Sequence, residues 1–191
     1  MPAATLADVM RARRILVYGC TGSGKSTLAL ALGRLRGLQV TLIDELTWEP
    51  GWVSTPPQER DARVLPRYAA EEWVIDTAYG VHRHAAHARA DVIVGLDYPR
   101  VLSLGRLLRR TARRIVRREP CCNGNIETLG RTLSRDSIIA WHFRSWARKR
   151  AVMRGWAAAA EGTPVLLLDR PRDADQLLAA LAAGAGSGQP T

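Results

Sequence analysis

Nine consecutive residues constrain this chain more than any others: Gly19-Cys20-Thr21-Gly22-Ser23-Gly24-Lys25-Ser26-Thr27. They follow the apolar run Ile15-Leu16-Val17-Tyr18 and open a stretch, 25–35, with helical periodicity. A strand, a glycine-rich turn ending Gly-Lys-Ser and a helix make up the context of a phosphate-binding loop. Glycines let the backbone approach phosphates in conformations closed to other residues. Successive N–H groups and the helix N-terminus then face the anion. Lys25 supplies a mobile cation for β- and γ-phosphates, and the Ser26 hydroxyl a ligand for Mg²⁺. The residues expected to bind nucleotide are therefore Gly19, Cys20, Thr21, Gly22, Ser23, Gly24, Lys25, Ser26 and Thr27.

The rest of the chain repeats the strand–helix alternation. Val40-Thr41-Leu42-Ile43, Trp73-Val74-Ile75-Asp76, residues 91–97 and residues 164–169 read as four more short buried strands. Helices are expected at 57–71, 100–117, 134–160 and 173–183, with turn-rich stretches at 46–57 and 118–133. Pro66 is expected to kink or shorten the first of these helices. Buried strands alternating with helices predict an α/β fold, a parallel sheet covered on both faces. One domain is expected over 1–183, with a helical lid at about 105–145 between the fourth and fifth strands. The glycine-rich residues 184–191 read as a disordered tail.

Composition narrows the class. No apolar run of the 191 residues approaches the ~20 needed to span a bilayer. Asp8 and the arginines at 11–14 precede the first apolar run, unlike a secretion signal. Three cysteines give no disulfide framework, so a cytoplasmic location is expected. The net charge is +10, and only Lys25 and Lys149 of the 28 basic residues are lysines. Eight arginines and no acid fall in 100–118, and seven basic residues with one acid, Asp136, in 131–154. Such clusters hold phosphate, on a nucleotide or on nucleic acid.

Acidic residues close the strands at Asp44, Asp76, Asp97 and Asp169. In open α/β sheets ligands bind at the carboxyl ends of strands. Asp76, on the strand expected beside the loop strand, is assigned to Mg²⁺. Asp44 is assigned to the phosphoryl acceptor, as base or binding group. Arg106, Arg109, Arg110 and Arg113 recur at helical spacing and are expected to share a face. Arginines aimed at a transferring phosphoryl group stabilise its charge. Trp48 and Trp52 read as loop packing or as walls of an acceptor pocket. His82, His84 and His87, with Cys121-Cys122, do not have zinc-site spacing.

Several stretches together, GCTGSGKSTLA, IDELTWEPGW, WVIDTAYG and ADVIVGLDYPR with LGRLLRR, resemble the adenylate-kinase-like bacterial DNA topology modulation proteins. The resemblance runs from about residue 14 to 182. It implies a five-stranded P-loop NTPase sheet of order 2-3-1-4-5, ATP and Mg²⁺ as cofactors, and Arg106 and Arg110 at the lid entrance. It places adenine at Asp169-Arg170-Pro171-Arg172, which makes Arg172 a nucleotide contact. Members of that family carry Asp-Gly-Asn-Tyr where this chain reads Asp76-Thr77-Ala78-Tyr79. The expected activity is transfer of the ATP γ-phosphoryl to a small acceptor, a nucleoside monophosphate or a small alcohol. Lys25, Asp44, Arg106 and Arg110 would be its catalytic residues. The other reading is a nucleotide-gated regulator that binds nucleic acid through its basic stretches.

Overall fold

The computed structural model describes residues 3–77 and 80–186. Five parallel strands form one sheet: β1 (Arg14–Gly19), β2 (Val40–Thr41), β3 (Trp73–Asp76), β4 (Val92–Leu96) and β5 (Val165–Leu168). Their order across the sheet is 2-3-1-4-5, as the resemblance implied. The helices are α1 (Leu6–Arg11), α2 (Lys25–Arg36), α3 (Ile43–Thr47), α4 (Pro57–Ala69), α5 (Arg83–Arg89), α6 (Arg100–Arg117), α7 (Leu129–Thr132), α8 (Ile138–Ala158) and α9 (Pro171–Gly186).

The strands are apolar throughout because both sheet faces are covered. Ile15 and Val17 point to one face, where Val9 of α1, Leu28 and Leu32 of α2, and Leu177 and Leu181 of α9 pack. Leu16 and Tyr18 point to the other, against Ile43 of α3, Val64 and Tyr68 of α4 and Met153 of α8. Small residues allow two of these approaches. A Cβ on Gly95 of β4 would meet Met153 Sδ at 2.6 Å. A Cβ on Gly33 of α2 would lie 2.1 Å from Val40 Cγ2 of β2. Asp91, just before β4, accepts from the backbone N–H groups of Arg13 and Arg14 at 2.9 and 2.8 Å and from the Arg14 guanidinium. Burial pulls the Asp91 carboxyl up, but these donors hold it below its ordinary range.

Several local expectations are corrected. β2 stops at Thr41, and Ile43-Asp44-Glu45 starts a short helix instead of ending a strand. The reason is that Ile43 N–H donates to Asp76 Oδ1 at 3.0 Å, which turns the chain away from the sheet edge. The loop at 46–57 contains a two-stranded ribbon, Trp48–Glu49 with Val53–Ser54. The turn-rich 118–133 stretch contains a hairpin, Pro120–Cys121 with Asn125–Ile126, followed by α7. α5 has no counterpart in the periodicity reading. α4 continues through Pro66 to Ala69. α9 runs to Gly186, so the expected tail starts too early, and residues 187–191 lie outside the described residues. No helix among the described residues is long and apolar enough to cross a membrane.

Gly33→Ala tests the α2–β2 approach. The added methyl forces Val40 aside and is expected to destabilise the chain by about 1–3 kcal/mol. Urea unfolding reads this as a lowered midpoint, and an unchanged midpoint would contradict the packing described.

Candidate active site

Residues 19–27 connect β1 to α2 at the carboxyl end of the sheet. Gly22 has φ +83°, and a Cβ there would strike the Ser103 carbonyl oxygen of α6 at 2.3 Å. Gly24 has φ +97° and caps α2 without a side chain. Two neighbouring helices hold carbonyls of the loop. Arg106 Nη1 of α6 donates to Ser23 O at 3.2 Å, and its guanidinium lies 5.5 Å from the Tyr98 ring centroid. His142 Nδ1 of α8 lies 3.0 Å from Thr21 O. A carbonyl only accepts, so Nδ1 carries the proton. Burial lowers the His142 pKa, and its Nε2 is buried without a partner among the described residues.

Carbonyls held from outside suit a loop whose N–H groups face an anion. Ser23 Oγ, also buried, has no partner among the described residues, an observation that fits a phosphate oxygen completing it. Cys20 is buried, and burial pushes its thiol pKa up, so it packs as an inert side chain. Thr27 lies exposed in the first turn of α2.

Asp76 ends β3 beside the loop strand, with its side chain buried. Its Oδ2 accepts from Ser26 Oγ in a short hydrogen bond, and its Oδ1 from Ile43 N–H. Burial raises its pKa, and the Asp44 charge adds to the rise, while Lys25 and the bonds from Ser26 and Ile43 oppose it. A hydroxyl and a carboxylate side by side are hard oxygen donors of the kind Mg²⁺ takes. Among the described residues no cluster of three or more His, Cys, Asp or Glu could hold a metal. His82 instead bonds Asp61 at 2.8 Å, and His87 lies against Trp156 at 4.9 Å between ring centroids.

Asp44 sits in the first turn of α3. Its charge reaches Asp76, Arg110, Lys149 and the Cys122 thiol. The structure thus brings Asp44, Asp76, Lys25 and Arg110 into one electrostatic neighbourhood. Arg106, Arg109, Arg110 and Arg113 lie along one stripe of α6 but differ in burial across it. Arg106, Arg110 and Arg114 are half-buried at a spacing of four, whereas Arg109 and Arg113 are exposed. Arg113 pairs outward with Glu119 at 3.0 Å. Arg110 is depressed by burial, then by Arg114, and its Nε is buried without a partner among the described residues. Arg114 pairs with the buried Glu127 at 3.2 Å.

Other strand-end residues lie differently from expectation. The Asp97 side chain, 1% exposed, is taken by Arg150 at 2.6 Å and Arg154 at 2.7 Å, so it moors α8. Asp169 is exposed. Arg172 lies in the first turn of α9 with its side chain 67% exposed, 3.9 Å from Asp173. Trp48 and Trp52 meet edge to face at 6.0 Å. Trp52 is fixed to the 120–126 hairpin and the helix after it: its Nε1 donates to Ile126 O at 3.1 Å, and Arg131 stacks on its ring at 4.6 Å. Ala78 and Tyr79, in the segment that departs from the family pattern, lie outside the described residues.

Lys149 and His142 are additions that the sequence reading missed. His142, Ser145, Lys149 and Met153 fall at helical spacing on the inner face of α8. Lys149 is half-buried and feels Lys25, Asp44 and Cys20. Burial, with Lys25 adding, lowers its pKa to about 8. The one usable signal was that Lys149 is one of two lysines in an arginine-rich chain.

The fold and loop define a kinase-like P-loop protein. No protein-family model and no curated protein sequence matches the chain. Among solved structures it is similar to a gluconokinase from Sinorhizobium meliloti 1021, with 15% identity, 91% of each chain covered and a TM-score of 0.51. A deoxyadenosine kinase from M. mycoides aligns at 10% identity over 92% of this chain and 99% of that one, with a TM-score of 0.48. A sugar kinase from Janibacter sp. HTCC2649 aligns at 15% identity over 90% and 92%, with a TM-score of 0.49. At these identities the likeness is one of fold.

Asp76→Asn separates stability from function at this site. A carboxyl whose folded pKa is raised costs stability once ionised and regains it as pH falls through that pKa. The amide removes the buried charge and keeps partners for Ser26 and Ile43. The ligand-free variant is expected to be more stable than wild type at pH 7, with the gap closing as pH falls below the raised pKa. Denaturation midpoints against pH check this, and an equal or lower midpoint at pH 7 would contradict it.

Proposed function

We propose that this protein is an ATP-dependent phosphotransferase acting on a small acceptor. The observation that carries the reading is the Ser26–Asp76 pair beside Lys25, with Asp44 facing it among Arg110 and Lys149. In this reading residues 19–27 hold the phosphates, with Ser23 Oγ as a further donor. Ser26 and Asp76 hold Mg²⁺, which when bound neutralises phosphate charge and orients the transferring group. Lys25, Arg106, Arg110 and Lys149 place positive charge around the phosphoryl group as it moves. Arg172 and the start of α9 border the base. The lid spans about 105–145 within one domain, 1–183.

Asp44 chooses the acceptor class. A carboxylate accepts a proton from a hydroxyl acceptor and repels an acceptor phosphate. Arg110, whose Nε has no partner among the described residues, counters that repulsion. Both a small alcohol and a nucleoside monophosphate therefore belong in the substrate panel. The motif resemblance assigns the chain to the adenylate-kinase-like DNA topology modulation proteins in this reading, and the absence of a disulfide framework assigns it to the cytoplasm. The exposed Arg109, Arg117 and Arg118 favour the second reading, nucleic-acid binding gated by nucleotide.

The deciding experiment measures ADP formation across nucleoside monophosphates, nucleosides and small alcohols, with Mg²⁺ and with EDTA. Acceptor-dependent turnover is expected. Lys25→Ala and Asp44→Asn are expected to lower kcat by at least about 100-fold. Lys149→Met should lower kcat more than it raises KM, with Lys149→Arg restoring part of the loss. ATP binding without any acceptor-dependent turnover would overturn the kinase reading. DNA binding that weakens steeply with salt would then favour the regulator.

A further inference from the structure

The hairpin between α6 and α7 carries two adjacent cysteines that the phosphotransfer chemistry does not use. Cys121 is buried and Cys122 half-buried, and as chain neighbours each thiol shifts the other. Cys122, Asn123 and Gly124 all have positive φ, +36°, +61° and +79°, and this tight turn holds the pair together. Arg114 and Arg110 of α6 face Cys121, with Glu127 opposing them. Asp44 of α3 faces Cys122, as does Arg114. The hydrogen bond from Cys122 and the arginines outweigh burial and bring the Cys121 thiol to about 7. Cys122 is pushed the other way, chiefly by donating to Cys121.

The same turn latches the lid onto the Asp44 side of the site. Asn123 Nδ2 donates to Glu45 O and to Trp48 O, both at 2.7 Å. Asn125 Nδ2 donates to Glu49 O at 2.9 Å and to Cys122 O at 2.6 Å, and Asn125 Oδ1 accepts from Trp52 N–H at 2.7 Å. In its thiol form Cys121 donates to Asn125 O at 3.4 Å. Both latch asparagines are therefore bonded to, or adjacent to, one of the two cysteines.

We propose that Cys121 and Cys122 form a hydroperoxide-reactive modification site that closes to a vicinal disulfide and releases the hairpin from residues 45–52. The Cys121 thiolate attacks one peroxide oxygen. The O–O bond breaks, the other oxygen leaves and is protonated to water, and Cys121 becomes a sulfenic acid. The Cys122 sulfur then attacks the Cys121 sulfur. The S–S bond forms, the S–O bond breaks and a second water leaves with the Cys122 proton. Two thiols are oxidised by two electrons, and hydrogen peroxide is reduced to two waters. As a disulfide Cys121 has no S–H to donate to Asn125 O, and the eight-membered ring shifts Cys122 O from Asn125 Nδ2, so the turn carrying Asn123 and Asn125 moves off residues 45–52. The effect on turnover rests on the proposed phosphotransfer; the thiol chemistry does not.

The test exposes the reduced full chain to hydrogen peroxide, blocks remaining thiols with N-ethylmaleimide and maps peptides by mass. Wild type is expected to lose two hydrogens within the peptide containing Cys121 and Cys122, reversibly with dithiothreitol. Cys122→Ser should stop at a sulfenic acid on Cys121 that dimedone traps. Cys121→Ser should slow oxidation of the hairpin by about tenfold or more. Oxidised wild type should also be cut faster by protease within 119–127. The proposal is overturned if Cys20 oxidises first, if the product is an intermolecular dimer, or if the pair keeps both hydrogens until the chain is unfolded. A disulfide that forms without faster cleavage would overturn the release of the latch. If the disulfide forms and no acceptor supports turnover, the modification site stands and the kinase reading fails.

Discussion

The Asp76 carboxylate is the contact on which the site depends. One oxygen takes the Ser26 hydroxyl from the start of α2, and the other takes the Ile43 N–H. That second bond ends β2 two residues after it begins and starts α3. Without it Asp44 would continue an edge strand. With it Asp44 turns inward toward Lys149 and Arg110. A buried, partly repelled charge is a poor choice for stability alone. Its position is explained by what it organises: a hydroxyl and a carboxylate at the loop, and a second carboxylate across from them.

A second buried acid, Asp97, does comparable work on the other side of the phosphate-binding loop. Its two arginine partners, Arg150 and Arg154, lie one turn apart on α8 and fix that helix over β4, where Gly95 leaves room for Met153. The inner face of α8 then carries His142 to the Thr21 carbonyl and Lys149 to the neighbourhood of Lys25. α6 approaches from the other direction, close enough that only glycine fits at position 22. α6 and α8, on either side of the 120–126 hairpin, therefore both rest on the loop, and a change in the hairpin has a short path to it.

Much of the fold was legible in the sequence. The continuous apolar strands, the glycine loop and the breaks between helices are all local signals, and the sheet order followed the family resemblance. Of the residues expected at the candidate site, those the structure gathers near the loop lay in or next to those signals: Lys25, Ser26, Asp76, Arg106 and Arg110. Periodicity did not separate the exposed Arg109 and Arg113 from the half-buried Arg106 and Arg110. Spacing puts them near one face of α6, but it does not say how wide a stripe the loop covers. It failed at Asp97 too, whose strand-end position suggested ligand binding when its charge is taken by arginines from another helix. The hairpin at 120–126 was read as turns alone, because its pairing spans only two residues on each side.

By itself the sequence determined the parallel sheet with both faces covered, and the phosphate-binding loop at its carboxyl end. Glycine conformations, backbone N–H groups and short apolar runs are properties of contiguous residues, and they survive without knowledge of the rest of the chain. Only the tertiary structure decided which side chains complete the loop. His142 meets Thr21 across 121 residues of sequence, and Arg150 meets Asp97 across 53. Those meetings depend on where a helix lands once its apolar face is buried. That landing is set by shape and by charge burial at the packed interface, which no local pattern encodes.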